Sequence, residues 1–162
     1  MSIFVRFGAT QGEATDSNHH GLVEVDDFDL GVARQITSHL GTRSDRESAN
    51  METEELTLTR YMDKASPALV LEACCGRGKD LTLHVTKTGS GNGSDTFLEY
   101  TLRNALVSGY EVYACSQARQ RPSEELTISF TSLEMRYTPY DDDGNPEAPI
   151  AVGFDATTNK KL

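Results

Sequence analysis

The chain has 162 residues, a formal charge of -10 at pH 7 and a hydrophobic fraction of 37%, and it contains no tryptophan. This length suits a single domain over residues 1–162. The acidic balance opposes the neutralisation of phosphates, so nucleic acid is not an expected partner. No segment approaches the ~20 apolar residues of a spanning helix, so membrane insertion is not expected. The first ten residues lack the pattern of a cleavable signal peptide, so we expect synthesis in the cytoplasm and no signal-dependent export.

Seven segments carry the alternating, β-branched pattern that is typical of strands. They cover residues 3–7, 22–32, 55–61, 81–88, 97–113, 126–137 and 150–154. In the sixth segment the apolar parity changes between Phe130 and Leu133. Because strand side chains alternate with a period of two, this change requires a β-bulge or a corner at Thr131–Ser132. The second segment has a similar break at Asp26–Asp27, and the two breaks together predict a closed or nearly closed β-structure.

One segment has the signals of a helix. Ser66 can cap it, Pro67 fits its first turn, and Gly76 can supply a left-handed stop. The residues between these signals are almost all apolar, so we expect the helix to pack on a sheet or to be covered by another subunit. The residues expected to make this contact are Leu69, Val70, Leu71 and Cys74.

Two connections differ from ordinary turns. Residues 39–51 form a polar segment that is longer than a hairpin turn requires. Its charged residues of mixed sign include Arg43, Asp45, Arg46 and Glu47. Residues 88–94 are rich in glycine and serine, which predicts a flexible hairpin connection.

No sequence motif supports a cofactor or a bound metal. Residues 76–80 leave a helix instead of opening one, and Asp80 stands where a phosphate-binding loop has Ser or Thr. Residues 141–145 lack the ligand spacing of a calcium loop, so an acidic turn is expected. His19 and His20 are adjacent and would point to opposite sides of an extended segment. We therefore expect loop histidines that bond the backbone and not a metal site.

The cysteines do not indicate a catalytic centre. Cys74 and Cys75 are neighbours, and a disulfide ring between adjacent residues is strained. Reduced thiols packed as small apolar groups are expected for these two residues and for Cys115. His84 lies at the polar parity of its strand, and nothing in the sequence brings a cysteine to it. No catalytic residue is therefore expected.

Residues along nearly the whole chain match a known family in order and spacing. The matching set begins with Gly12, Glu13, Asp16, His19, Val23, Val25, Phe28 and Gly31. It continues with Thr59, Asp63, Lys64, Ser66, Pro67, Leu69, Leu98, Glu99, Tyr100, Asn104, Ala105, Val107, Ser108 and Tyr110. It ends with Pro122, Glu124, Glu125, Tyr137, Thr138, Pro139, Asn159 and Lys160. On these residues the chain resembles the Hcp family, the haemolysin-coregulated tube proteins of bacterial type VI secretion systems.

The resemblance implies a mainly β fold: a compact β-barrel of two antiparallel sheets with one flanking α-helix. It also implies a structural protein, not an enzyme, that forms homohexameric rings stacked into a hollow tube. Contractile sheath proteins would surround this tube, a VgrG-like spike protein would sit at its tip, and effector cargo would fill its lumen. The protein would be cytoplasmic and then secreted. In the family the long connection after the second strand reaches the neighbouring ring, which assigns Arg43, Asp45, Arg46 and Glu47 to contact between rings.

Two other functions stay open on the residues alone. A carbohydrate-binding β-sandwich module would need exposed aromatic residues on one sheet face, and the absence of Trp makes this feature weak. A small secreted hydrolase would need a cysteine or metal centre, and the motifs for such a centre are incomplete.

Overall fold

The computed structural model describes residues 1–34, 36, 51–89, 91–118 and 120–162. The first strands are β1 Ser2–Phe7, β2 Val23–Val25, β3 Asp27–Asp29, β4 Val32–Arg34, β5 Met51–Thr53 and β6 Leu56–Tyr61. Helix α1, Ser66–Cys75, follows them. The remaining strands are β7 Lys79–Thr88, β8 Ser94–Tyr113, β9 Ser123–Ser129, β10 Ser132–Tyr137, β11 Ile150–Asp155 and β12 Lys160–Lys161.

Two antiparallel sheets share the long strand β8. Sheet I has the strand order β12-β11-β10-β8-β7-β1-β2, and sheet II has the order β3-β6-β9-β8. The N-terminal half of β8 pairs with β7 and β10, and its C-terminal half, from Leu106 onward, pairs with β9. Asn104 lies where the strand changes sheet and adopts a left-handed backbone with φ 52°, which asparagine tolerates better than most residues. Strands β4 and β5 form a separate two-stranded ladder.

Both predicted parity changes are corners at which the chain passes from one sheet to the other. β9 belongs to sheet II and β10 to sheet I, with Phe130–Thr131 between them. β2 belongs to sheet I and β3 to sheet II, with Asp26 between them. The predicted breaks are confirmed, and the single strands predicted over 22–32 and 126–137 are each divided. The sheets do not close into a barrel, because among the described residues no ladder joins β2 to β6.

The core lies between the inner faces of the two sheets. Its most deeply buried apolar residues include Phe7, Leu56, Leu81, Leu83, Leu102, Leu126 and Ile128. Helix α1 closes one side of this core through Leu69, which is 4% exposed. Burial of a leucine side chain contributes roughly 1.5–3 kcal/mol, so this contact helps to hold the helix on the sheets. No helix in the described ranges has the length and apolar character needed to cross a membrane.

Helix α1 has the predicted bounds but not the predicted caps. Its N-cap is Ala65, which makes no side-chain capping bond. Ser66 lies inside the helix, where its hydroxyl donates to the Glu124 carboxylate at 3.0 Å. Gly76 is extended with φ -65°, not left-handed. Glycine is still required there, because a Cβ would lie 2.4 Å from the Glu72 carbonyl oxygen.

A buried ion pair links the segment before α1 to both sheets. Arg60 on β6 is 2% exposed and Glu124 on β9 is 1% exposed, and the guanidinium donates to the carboxylate. Arg60 also pairs with Asp63 at 2.5 Å and donates to the Glu24 carbonyl at 3.0 Å. The Tyr110 hydroxyl donates to Glu124 at 2.5 Å. Burial, followed by this hydrogen bond, raises the pKa of Tyr110 to about 12, so its hydroxyl remains a donor at neutral pH.

Candidate assembly surface

The inner face of sheet I continues from the core into solvent. Three cross-strand rows run from β8 through β10 to β11. They are Leu102–Leu133–Phe154, Tyr100–Met135–Val152 and Leu98–Tyr137–Ile150. Leu102 is 0% exposed at β8, whereas Ile150 and Val152 are each 64% exposed at β11. We call Met135, Tyr137, Ile150 and Val152 the apolar flank, because they extend the core face beyond the area that the chain itself covers.

A groove of about 470 Å³ runs beside the apolar flank. Its apolar lining includes Leu30, Val32, Met51, Tyr100, Met135 and Val152. Val32 on β4 is 54% exposed, so the wall opposite the flank is also open to solvent. Contiguous apolar surface of this kind marks interaction sites in soluble proteins.

The backbone edge of β11 is open next to the same flank. β12 pairs only with Phe154 and Asp155, and the Leu162 N–H bonds the Gly153 carbonyl at 3.0 Å. Within the described part of the chain, residues 150–152 therefore have no ladder partner on that side. An apolar strand with a free edge is a template for pairing with another chain.

The exposed side of helix α1 is a second apolar surface. Of the four predicted contact residues, Leu69 packs in the core, whereas Val70 and Leu71 are 37% and 62% exposed. Cys74 is exposed, as are Cys75 and Cys115. The three thiols are unpaired, but their predicted burial in the core is wrong for the single chain. The reason is that the short helix turns only one side toward the sheets.

The histidines make contacts that sequence reasoning missed. His19 is 5% exposed, and its ring nitrogens bond Asp16 Oδ1 at 2.8 Å and Thr96 Oγ1 at 2.9 Å. The predicted bond to the backbone is therefore wrong, because both partners are side chains. His19 also lies 5.4 Å from His84, ring centre to ring centre. The pairing of β1 with β7 places Phe4 opposite His84. Phe4 also stacks on His19, with their ring centres 4.7 Å apart, so the strand pairing brings the two histidines together.

Exposed aromatic residues do occur on sheet II. Tyr61 and Tyr113 lie opposite Ser123 from its two sides and are 43% and 71% exposed. The Tyr61 hydroxyl donates to Gln120 at 3.1 Å. These two tyrosines form a smaller platform than a carbohydrate-binding face with tryptophan would offer.

The charged residues of the predicted contact loop are not among the described residues. Arg43, Asp45, Arg46 and Glu47 lie outside the described residues, so their assignment stays a prediction. The apolar flank was not predicted as a site. The alternation over residues 150–154 identified the strand, but alternation alone does not show whether a second sheet covers its apolar face.

Known proteins share both this sequence and this fold. Residues 4–137 match the family described as "Type VI secretion system effector, Hcp". Protein hcp1 of Pseudomonas aeruginosa is 26% identical over 163 residues, covering 98% of this chain and 97% of the relative. A solved type six secretion system protein superposes with a TM-score of 0.90 at 25% identity, covering 99% of both chains. Hcp1 from Salmonella typhimurium has the same fold, with a TM-score of 0.79 at 22% identity over 99% of this chain and 98% of that one.

These matches place the chain in the class of type VI secretion system proteins. The family match covers most of the described strands, from β1 to β10. The chain belongs to the Hcp family.

Proposed function

We propose that this chain is the structural subunit of the type VI secretion inner tube and not an enzyme. Six copies form a homohexameric ring, and the rings stack into a hollow tube that carries effector cargo in its lumen. Contractile sheath proteins surround the tube, and a VgrG-like spike protein sits at its tip. The tube leaves the cytoplasm with its cargo and is secreted. Family membership and the apolar flank support this proposal.

The observation that carries the proposal is the exposure of the apolar flank. Burial of Ile150 and Val152 in a contact would contribute roughly 1.5–3 kcal/mol of stabilisation for each side chain, and a free monomer lacks this contribution. The flank and the exposed side of α1 are different surfaces, so contact between them joins unlike patches of neighbouring copies. Repeated head-to-tail contacts form a closed ring when the rotation from one copy to the next adds up to one full turn. This arrangement would cover Val70 and Leu71 in the same step.

A mass measurement on matched variants of β11 tests the ring. Multi-angle light scattering at micromolar concentration should give about six times the 17.8 kDa chain mass for the wild type. Val152→Asp places a charge in the flank and should yield smaller species with an unchanged circular dichroism spectrum. Ala151→Asp is the control, because this exposed neighbour points to the opposite face of the sheet. A monomeric wild type, or a Val152→Asp variant of full ring mass, would contradict the proposal.

Contact between rings is assigned to residues 39–51. Solvent-exposed ion pairs of Arg43, Asp45, Arg46 and Glu47 would be worth only ~0–1 kcal/mol each, so stacking should be weak for one subunit and sensitive to salt. Replacing residues 42–48 by a Gly-Ser turn should leave the hexamer mass and the thermal stability nearly unchanged while abolishing tube growth in electron micrographs. Tubes at the wild-type protein concentration, or dissociation to monomers, would show that the assignment is wrong.

A further inference from the structure

The segment before β2 is hydrogen-bonded to the hairpin that joins β7 and β8. Asp16 Oδ2 accepts the Ser94 N–H at 2.9 Å, and the Asn18 amide donates to the Ser94 carbonyl at 3.1 Å. The Ser17 hydroxyl donates to the Asn92 carbonyl at 3.1 Å. We call residues 16–19 the latch, because their side chains hold a hairpin that is 75 or more positions away in sequence.

His19 provides the buried end of the latch. Its ring bonds Asp16 on one side and Thr96 on the other, and it lies 6° from parallel with the Phe4 ring. The ring of His84 lies directly beyond it, tilted by 59°. The latch therefore covers one side of His84, whose side chain is 15% exposed.

Charged and titratable groups from every neighbouring element face His84. They are Arg6 on β1, Asp16 and His19 in the latch, Asp95 and Glu99 on β8, and Tyr140 after β10, with Lys87 over the Tyr140 ring. Together most of them line a polar cavity of about 330 Å³. Glu99 Oε2 lies 3.3 Å from His84 Nδ1, but this buried nitrogen makes no hydrogen bond within the described structure.

The environment of His84 opposes its protonation while the latch is closed. Burial lowers the pKa of His84 to about 4, and the charges of His19 and Arg6 act in the same direction. The hydrogen bond from His19 lowers the pKa of Asp16 to about 2, so Asp16 remains ionised from neutral pH down to pH 4. Acidification over this range therefore leaves the anion of the latch in place.

We propose that the latch is an acid-sensitive clamp, in which protonation of His84 releases residues 16–19 from the β7–β8 hairpin. The closed latch binds this proton less well than an open latch would, because opening would move the imidazole back toward its ordinary pKa of 6.5. Opening thus takes up a proton between pH 6.5 and about 4 and becomes more favourable as the pH falls. From the two pKa values the open population at pH 5 is ~20-fold that at pH 7, and about tenfold after allowance for partial solvent exposure of the ring.

Hydrogen exchange of the purified, assembled protein at pH 7 and pH 5 tests the clamp. After correction for intrinsic exchange rates, peptides that contain residues 16–22 and 91–96 should exchange about tenfold faster at pH 5, whereas peptides of β1 should not change. His84→Gln removes the titration and should abolish this pH effect. His20→Gln is the matched control, because His20 is an exposed neighbour, and it should keep the effect.

A second variant separates the clamp from a general loss of stability. Thr96→Val removes the partner of His19 Nε2, so the same peptides should exchange faster already at pH 7. Equal latch protection of the wild type at both pH values would overturn the proposal. So would a His84→Gln variant with the wild-type pH response, or a Thr96→Val variant with wild-type protection at pH 7.

Discussion

Replacement of Arg60 by methionine should be one of the most damaging single changes in this chain. Arg60→Met keeps much of the side-chain volume but removes a guanidinium that is 2% exposed. Its departure leaves the carboxylate of Glu124, 1% exposed, without a cation, and Asp63 loses a partner at 2.5 Å. Removing one member of a buried ion pair leaves an uncompensated charge in a medium that solvates it poorly.

The size of the effect follows from what stays bonded to Glu124. Loss of one partner of a buried pair costs about 3–5 kcal/mol. Ser66 and Tyr110 still donate to the carboxylate at 3.0 and 2.5 Å, so the lower end of that range applies. About 3 kcal/mol corresponds to a decrease in Tm of roughly 6–12 °C for a chain of this size. Arg103→Met is the control, because Arg103 pairs with Asp80 at the surface, where an ion pair is worth ~0–1 kcal/mol.

Urea unfolding followed by circular dichroism measures these differences. All variants need one fixed protein concentration, since self-association adds to the apparent stability. The double variant Arg60→Met with Glu124→Gln removes both charges and keeps an acceptor for Tyr110, so it should recover about 1–3 kcal/mol relative to the sum of the single changes. A buried-pair effect is ruled out if Arg60→Met costs no more stability than Arg103→Met, or if the effects of Arg60→Met and Glu124→Gln are additive.

Two further predictions concern the thiols and the half-buried Tyr110. Replacement of Cys74, Cys75 and Cys115 by serine should change the free energy of unfolding by less than ~0.5 kcal/mol each, because all three are exposed. A larger loss of stability in the urea assay would show that assembly buries them. The pKa of Tyr110 is raised from 10.0 to about 12, so between these pH values the folded state holds a proton that the unfolded state releases. The resulting contribution to stability is fully present below pH 10 and is lost as the pH rises toward about 12. Tyr110→Phe should flatten the decline in stability over that range, and Tyr113→Phe, at an exposed tyrosine, should not.

The regular elements could be predicted from local patterns, and the exceptions have local reasons. The bounds of β1, β6 and α1 follow from alternation and from Pro67 and Gly76. β5 and β12 were not predicted, because two or three residues are too few to show an alternating pattern. The cap prediction failed at Ser66 because a tertiary contact with Glu124 uses the hydroxyl that would otherwise cap the helix. Capping preference is a local tendency, and the buried network outweighs it.

The sites depend on distances that sequence patterns do not encode. His19 and His84 are far apart in the chain and meet because β1 pairs with β7 and sets Phe4 opposite His84. The apolar flank depends on the unequal widths of the two sheets. Seven strands form sheet I and four form sheet II, so β11 extends past the region where the sheets face each other. A strand pattern shows which face is apolar, but only the packing shows that part of this face lacks a cover.

If the proposed ring forms, its closure connects the buried ion pair with the exposed flank. In a six-membered ring each contact turns the next subunit by about 60°, and an error in that angle recurs at every contact. If the flank meets α1 of a neighbour, the angle depends on how α1 is held on the sheets of its own chain. Arg60 and Ser66 hold this helix start on Glu124 through directional bonds, which apolar packing by Leu69 alone does not provide. The double variant that removes both charges therefore separates stability from geometry. It should unfold at a higher urea concentration than Arg60→Met and yet show a broad distribution of masses in light scattering. Uniform rings from the double variant would mean that apolar packing alone sets the angle.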